Sequence, residues 1–150
     1  MLWIRKFQQK DSETVSALIR EALRETLGKD YPGSVIQKLC DDYTPSYIRD
    51  IAHQQEILVA IIDDRIVGTA AFQDNIIRDV YVHPDYQRQG IGNKLINQVE
   101  KTIKELGYSY VQLPANPTAL EFYRKLGYSK VEEVHNETYG IIEIIIRKDF

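Results

Sequence analysis

Apolar positions recur along this chain with two periods, and the switches between them mark out the elements. The opening run Leu2–Phe7 predicts a first strand. Asp11-Ser12 then offers an N-cap, and Val15, Leu18, Ile19, Ala22, Leu23 and Leu27 fall on one stripe of a helix closed by Gly28. A turn at Tyr31-Pro32-Gly33 leads into a short helix through Cys40. Thr44-Pro45, a cap residue followed by proline at the first helical position, starts another short helix through Ile51. Ile57–Ile62 and Ile66–Phe72 are β-rich runs joined by Asp63-Asp64-Arg65, which predicts a hairpin, and Gln73-Asp74-Asn75 turns the chain again into Ile76–Val82. Gly90 opens a helix with Ile91, Leu95, Ile96, Val99, Ile103 and Leu106 at helical spacing, ended by Gly107. Tyr110–Leu113 predicts a short strand, Thr118–Leu126 a helix stopped by Gly127, and Lys130–Val134 with Ile141–Arg147 a closing hairpin.

The order is therefore β, helices, βββ, α, β, α, ββ. It predicts an α+β fold with a mixed, mainly antiparallel twisted sheet of about six to seven strands flanked by about four helices. No repeat, low-complexity tract or linker interrupts it, so residues 1–150 read as one domain, long enough to bury a core. Composition changes this picture little, but it excludes some partners. A formal charge of −3 gives no support for nucleic-acid binding, which announces itself as a basic domain. No apolar run approaches the roughly 20 residues that span a bilayer, and the N-terminus lacks a signal-peptide core. The lone cysteine, Cys40, rules out an internal disulfide and a Cys-based metal site. Following Val35, Ile36 and Leu39, it reads as a buried thiol. These features point to a cytoplasmic protein with no membrane partner.

The richest stretch chemically is Asp79-Val80-Tyr81-Val82-His83-Pro84-Asp85-Tyr86-Gln87-Arg88-Gln89-Gly90-Ile91-Gly92. A strand ends, a loop follows, and a helix begins at glycines that let the backbone approach a ligand closely. The first helical N–H groups lack intrahelical partners and sit at the positive end of the helix dipole, which together suits a pyrophosphate. Arg88 and Lys94 can add charge for further phosphates. A dinucleotide fingerprint would need a third glycine where Leu95 stands and an acidic residue where the chain reads Tyr110-Val111-Gln112-Leu113. A P-loop would need Gly-Lys-Ser/Thr, which is absent. On these residues alone, a helix that merely begins with glycines remains the alternative.

Val80-Tyr81-Val82-His83-Pro84 running into Gln87-Arg88-Gln89-Gly90-Ile91-Gly92 resembles the acetyl-CoA signature of the GNAT N-acetyltransferase superfamily, Arg/Gln-x-x-Gly-x-Gly/Ala. A second family feature follows at the proper distance: Asn116, Ala119, then Phe122-Tyr123-Arg124-Lys125-Leu126-Gly127-Tyr128. The match covers roughly residues 57–128, and the N-terminal helices agree only in arrangement.

The resemblance implies acetyl-CoA as cosubstrate and no metal. It implies that the backbone of Val80, Tyr81 and Val82 pairs with the pantetheine arm, with amides facing the thioester carbonyl. Gln87, Arg88, Gln89, Gly90, Ile91, Gly92, Asn93 and Lys94 would hold the pyrophosphate, and Asn116 would touch the cofactor where two strands splay. Tyr123 matches the tyrosine that approaches the CoA sulfur and protonates the departing thiolate, although ten tyrosines are present and Phe122-Tyr123 also suits plain packing.

The base is less defined. Many relatives carry a carboxylate near the start of the strand matching Ile76–Val82, where Ile76 and Ile77 offer none. Asp79 lies across the strand from Val80 and Val82 by simple alternation, His83-Pro84 reads as a turn, and a water relay is a third route. Asp41-Asp42-Tyr43 reads as solvated surface rather than an amine site, and His135-Asn136-Glu137-Thr138 as a hairpin turn rather than a ligand set. The implied activity is acetyl transfer to a primary amine, expected on a small molecule. A protein N-terminus or lysine, and a non-catalytic CoA sensor, are the alternatives. Homodimer formation is left open.

Overall fold

The structure, a computed structural model, describes residues 1–150. Five helices and seven strands follow in chain order. They are β1 (Leu2–Lys6), α1 (Ser12–Thr26), α2 (Gly33–Asp42), α3 (Pro45–Ile51), β2 (Glu56–Ile62), β3 (Arg65–Gln73), β4 (Ile76–Val82), α4 (Ile91–Glu105), β5 (Tyr110–Ala115), α5 (Leu120–Lys125), β6 (Ser129–Asn136) and β7 (Ile141–Asp149). All seven strands join one sheet in the order β1-β2-β3-β4-β5-β7-β6. Only the β4–β5 pair is parallel.

The sheet is covered on both faces, which explains why β2 and β3 read as continuous apolar runs rather than alternating ones. On one face α4 presents Ile91, Leu95, Ile96, Val99 and Ile103 to Leu58, Ala60 and Ala70. On the other, Val15, Leu18, Ile19 and Leu23 of α1 meet Ile57, Val59 and Ile61. Gly68 lets α4 come close, since a Cβ there would lie 3.1 Å from both Ile91 and Leu95 side-chain atoms. Cys40 is buried in the α1–α3 layer, as expected. No helix is long and apolar enough to cross a membrane.

Several expectations shift. Asp11 is no cap for α1: its carboxylate is held by Arg5 at 2.8 and 3.0 Å and by the Gln8 N–H at 2.8 Å. Asp63 and Asp64 both take positive φ, 49° and 62°, so the hairpin needs only these two residues and Arg65 joins β3. Leu106 ends outside the core, 63% exposed. The helix expected over Thr118–Leu126 divides into a 3-10 turn, Pro117–Ala119, and then α5. Helical spacing puts Ala119, Phe122 and Leu126 on one apolar stripe with Tyr123 a position off it, and this offset reverses the two aromatics: Tyr123 is buried at 6% exposure and Phe122 stands at 38%.

Two irregularities in β4 position the site. Ala70 faces Val80 but Phe72 faces Ile77, so Arg78 and Asp79 together oppose Ala71 in a β-bulge. Ile77, Val80 and Val82 can then all pack toward α4, while Tyr81 packs toward α1–α3. Further, β4 pairs with β5 at a single position, Ile76↔Gln112, and beyond it the strands part.

Candidate functional site

The loop after β4 is fixed by local bonds. His83 caps a 3-10 turn, its Nδ1 accepting from the Asp85 N–H at 3.1 Å, while its Nε2 lies 3.2 Å from a Glu21 carboxylate oxygen on α1. Arg88 at φ +64° and Gly90 at φ +80° then turn the chain into α4. Gly90 is the N-cap and supplies no side chain to bond the first N–H groups, so these stay free for a ligand. A Cβ at Gly92 would sit 3.2 Å from Phe122, which shows how closely α5 approaches this helix start.

Three adjoining cavities run through the splay. The first, about 550 Å³, lies on the α4 face and is lined by Val80, Val82, Gln87, Arg88, Gly90 and Gly92 among others. The second, about 350 Å³, lies on the α1–α3 face and includes Tyr43, Tyr47, Asp79, Tyr81, Tyr139 and Glu143. A third of about 150 Å³ joins them, sharing Val80, Val82 and Gln87 with the first and Leu27, Tyr81 and Asn116 with the second.

Against this geometry the expected residues sort clearly. Gln87, Arg88, Gly90, Ile91, Gly92 and Asn93 line the first cavity, whereas Gln89 and Lys94 are exposed outside its lining. Val80 and Val82 bridge the first and third cavities, and Tyr81 faces the other side of the sheet. Asn116 stands where the second and third meet, its Oδ1 accepting from the Ala119 N–H at 3.0 Å. Tyr123 lines none of the three. Its ring packs edge-on to Phe122 and Tyr128, with centroids 4.9 and 5.5 Å away, and burial pushes its phenol above the usual pKa.

Asp79 does lie across the strand from Val80 and Val82, and that places it in the second cavity. Tyr43 Oη donates to Asp79 Oδ1 at 2.6 Å. Burial raises the Asp79 pKa above the ordinary carboxylate value; the Tyr43 bond and the Arg78 charge pull it down, and the Glu143 charge pushes it up. Tyr43 itself is pushed well above the phenol range, chiefly by burial. His83, by contrast, faces α1 and lines a separate groove with Arg5 and Glu21.

Tyr43 was expected on the surface with Asp41 and Asp42, and the structure corrects this. Its carbonyl accepts from Ser16 Oγ at 2.6 Å, and the next residue, Thr44, caps α3 by accepting from the Tyr47 N–H at 3.1 Å. Its ring meets Tyr47 and Tyr81 edge-on, with centroids at 5.5 and 6.2 Å. The sequence reading also passed over Tyr47, Tyr139 and Glu143; the visible hint was the tyrosine pair flanking Thr44-Pro45. The β6–β7 turn borders the cavity through Tyr139 and is tied to α2. Lys38 Nζ donates to Thr138 O at 2.6 Å, and Tyr139 Oη donates to Asp42 Oδ2 at 2.5 Å. His135 and Asn136 belong to β6 rather than to the turn. No group of three or more His, Cys, Asp or Glu comes together in a metal-holding arrangement.

Comparison with known proteins adds a lineage to this geometry. The uncharacterized N-acetyltransferase ycf52 of Porphyra purpurea is 41% identical over 71 residues, which are 44% of this chain and 41% of that protein. The chain thus spans well under half the length of this curated relative. The uncharacterized N-acetyltransferase YafP of Escherichia coli is 26% identical over 137 residues, 91% of this chain and 87% of that protein. Among solved structures, a PaiA N-acetyltransferase from Thermoplasma acidophilum in complex with coenzyme A superposes with a TM-score of 0.84 at 22% identity, covering 100% of this chain and 99% of the other. The model of the acetyltransferase (GNAT) domain family matches residues 28–148. With that match spanning most of the sheet and both sides of the splay, the chain belongs to the GNAT acetyltransferase family.

Proposed function

We propose that this chain is one N-acetyltransferase domain that moves the acetyl group of acetyl-CoA to a primary amine on a small molecule, by direct attack on the thioester. The carrying observation is the run of three adjoining cavities, with a free helix N-terminus at one end and a carboxylate at the other. The pyrophosphate would rest on the N–H groups from Gly90 to Asn93, with Gln87 and Arg88 beside them, and Gln89 and Lys94 would act from the rim. The pantetheine arm would lie in the joining cavity, along the edge of β4 that β5 leaves unpaired beyond Ile76, its backbone bonded by the Val80–Val82 stretch. An N–H of that stretch would face the thioester oxygen and hold its charge as the amine adds.

Asp79 is the base in this reading. An ammonium in water is a far weaker acid than a carboxylic acid, so proton transfer between them runs uphill. Burial narrows the gap from both sides, raising the carboxylate and lowering the amine. Tyr43 holds the carboxylate in place. Tyr123 is the candidate to protonate the departing sulfur although it lines none of the three cavities; burial keeps the phenol neutral but weakens it as an acid, and a thiolate of reference pKa about 8.5 leaves with modest help. The turn tied to α2 by Lys38 and Tyr139 favours a small acceptor, since a polypeptide would have to displace it. The single buried cysteine suits the reducing cytoplasm.

The test has two parts. Acetyl-CoA well above micromolar concentration should raise the melting temperature, and no stabilisation would defeat the reading. Thiol release should then appear with at least one of a panel of polyamines, aminoglycosides, amino acids and peptides. Strong binding of acetyl-CoA with no turnover of any amine would instead indicate a sensor.

A further inference from the structure

The second cavity holds two carboxylates where transfer to an amine needs one. Asp79 and Glu143 both line it, and neither takes part in an ion pair within the protein. Glu143 is close enough that its charge raises the Asp79 pKa. It is partly buried and held by Asn136, whose Nδ2 donates to Glu143 Oε1 at 3.0 Å, so its direction is set before any ligand arrives. The walls around the two acids are phenols: Tyr31, Tyr43, Tyr47, Tyr81 and Tyr139. Phenol rings attract cations over their faces and tolerate the methylene stem between them. Gln55 lines the same cavity, and its Oε1 is buried with no hydrogen-bond partner. The one basic lining residue, Arg78, is exposed and pulls on Asp79 without pairing with it.

Resting on the acetyltransferase reading, we infer that the acceptor is a short aliphatic diamine, with the reacting nitrogen at Asp79 and a second nitrogen, still an ammonium, bound by Glu143. A monoamine would answer only one of the two charges. An amino acid would bring a carboxylate into a cavity whose acids outnumber its single base. The volume of about 350 Å³, at the small end for ligand pockets, suits a compact chain rather than a sugar-based polycation.

The experiment compares kcat/KM, by thiol release, for a series of α,ω-diamines of three to six carbons with the alkyl monoamines of equal length. A charge-assisted contact predicts that the best diamine exceeds its monoamine on the order of 10- to 100-fold, with an optimum chain length. In Glu143→Gln this ratio should collapse toward one, mainly through a higher KM for the diamine. Taking the ratio within one protein cancels any loss of folded material. Equal turnover of both amines by the native chain, or a ratio unchanged in Glu143→Gln, would overturn the second cation site while leaving acetyl transfer in place. Absence of thiol release with every amine, despite an acetyl-CoA-dependent rise in melting temperature, would overturn the site and the transfer reading together.

Discussion

Replacing Tyr43 by phenylalanine removes one oxygen and leaves the ring that packs against Tyr47 and Tyr81. That oxygen donates the 2.6 Å hydrogen bond to Asp79, and the bond favours the ionised carboxylate against the burial that opposes it. A hydrogen bond to a charged group contributes about 1.5–3 kcal/mol, and one pKa unit corresponds to about 1.4 kcal/mol. The Asp79 pKa should therefore rise when the bond is lost, and rise less where a water replaces part of it. In the proposed mechanism Asp79 would work only when ionised, so activity should disappear as pH falls through its pKa. A higher pKa carries that loss to higher pH. The assay is kcat/KM from thiol release between about pH 5 and 9, with acid limbs compared for the native chain and Tyr43→Phe. Asp79→Asn should lack the limb and lower the plateau roughly 10²–10⁴-fold. An acid limb that stays in place in Tyr43→Phe, or survives in Asp79→Asn, would refute Asp79 as the base.

Other expectations concern the helix start, the acid and the N-terminal ion pair. Gly90→Ala meets no atom within 4 Å, so its cost comes from φ +80° alone: about 1–2 kcal/mol in urea unfolding, accompanied by weaker acetyl-CoA binding in calorimetry. Gly107→Ala, at φ +100° and equally open, should cost a similar amount and leave that affinity unchanged. Tyr123→Phe should reduce kcat about 10²–10⁴-fold with acetyl-CoA affinity kept; undiminished turnover would remove it from the reaction. Asp11, held below the usual carboxylate range first by Arg5, stabilises the fold above the unfolded value of 3.8 and loses that contribution as pH falls from there through its lowered folded pKa. Asp11→Asn should flatten this segment of a melting-temperature profile and cost about 1–3 kcal/mol at neutral pH.

Helix α4 was legible because one period runs through it without interruption, and its buried residues match the stripe, Leu106 apart, while the β2–β3 hairpin was legible as two continuous apolar runs around a polar turn. What sequence reading missed has specific causes. A bulge adds a residue that alternation cannot see, so Ile77 and Val80 share a face that counting would have split. Near Tyr123 the 3-10 turn advances three residues per revolution and rotates α5 relative to a continuous α-helical wheel. That exchanges the positions of Phe122 and Tyr123. The lining of the first cavity was readable because most of its residues are consecutive. The lining of the second cavity was not, since Tyr43, Asp79, Tyr139 and Glu143 come from four separate segments with no spacing to connect them.

The joining cavity has a kinetic consequence. Donor and acceptor would reach the splay from opposite faces of the sheet, so neither blocks the other's route, and both can be present when the acyl group moves. Initial-rate lines for the two substrates should then intersect rather than run parallel, with no acetylated protein accumulating. The two products would also depart on different sides, so the spent donor could leave while the amide is still bound.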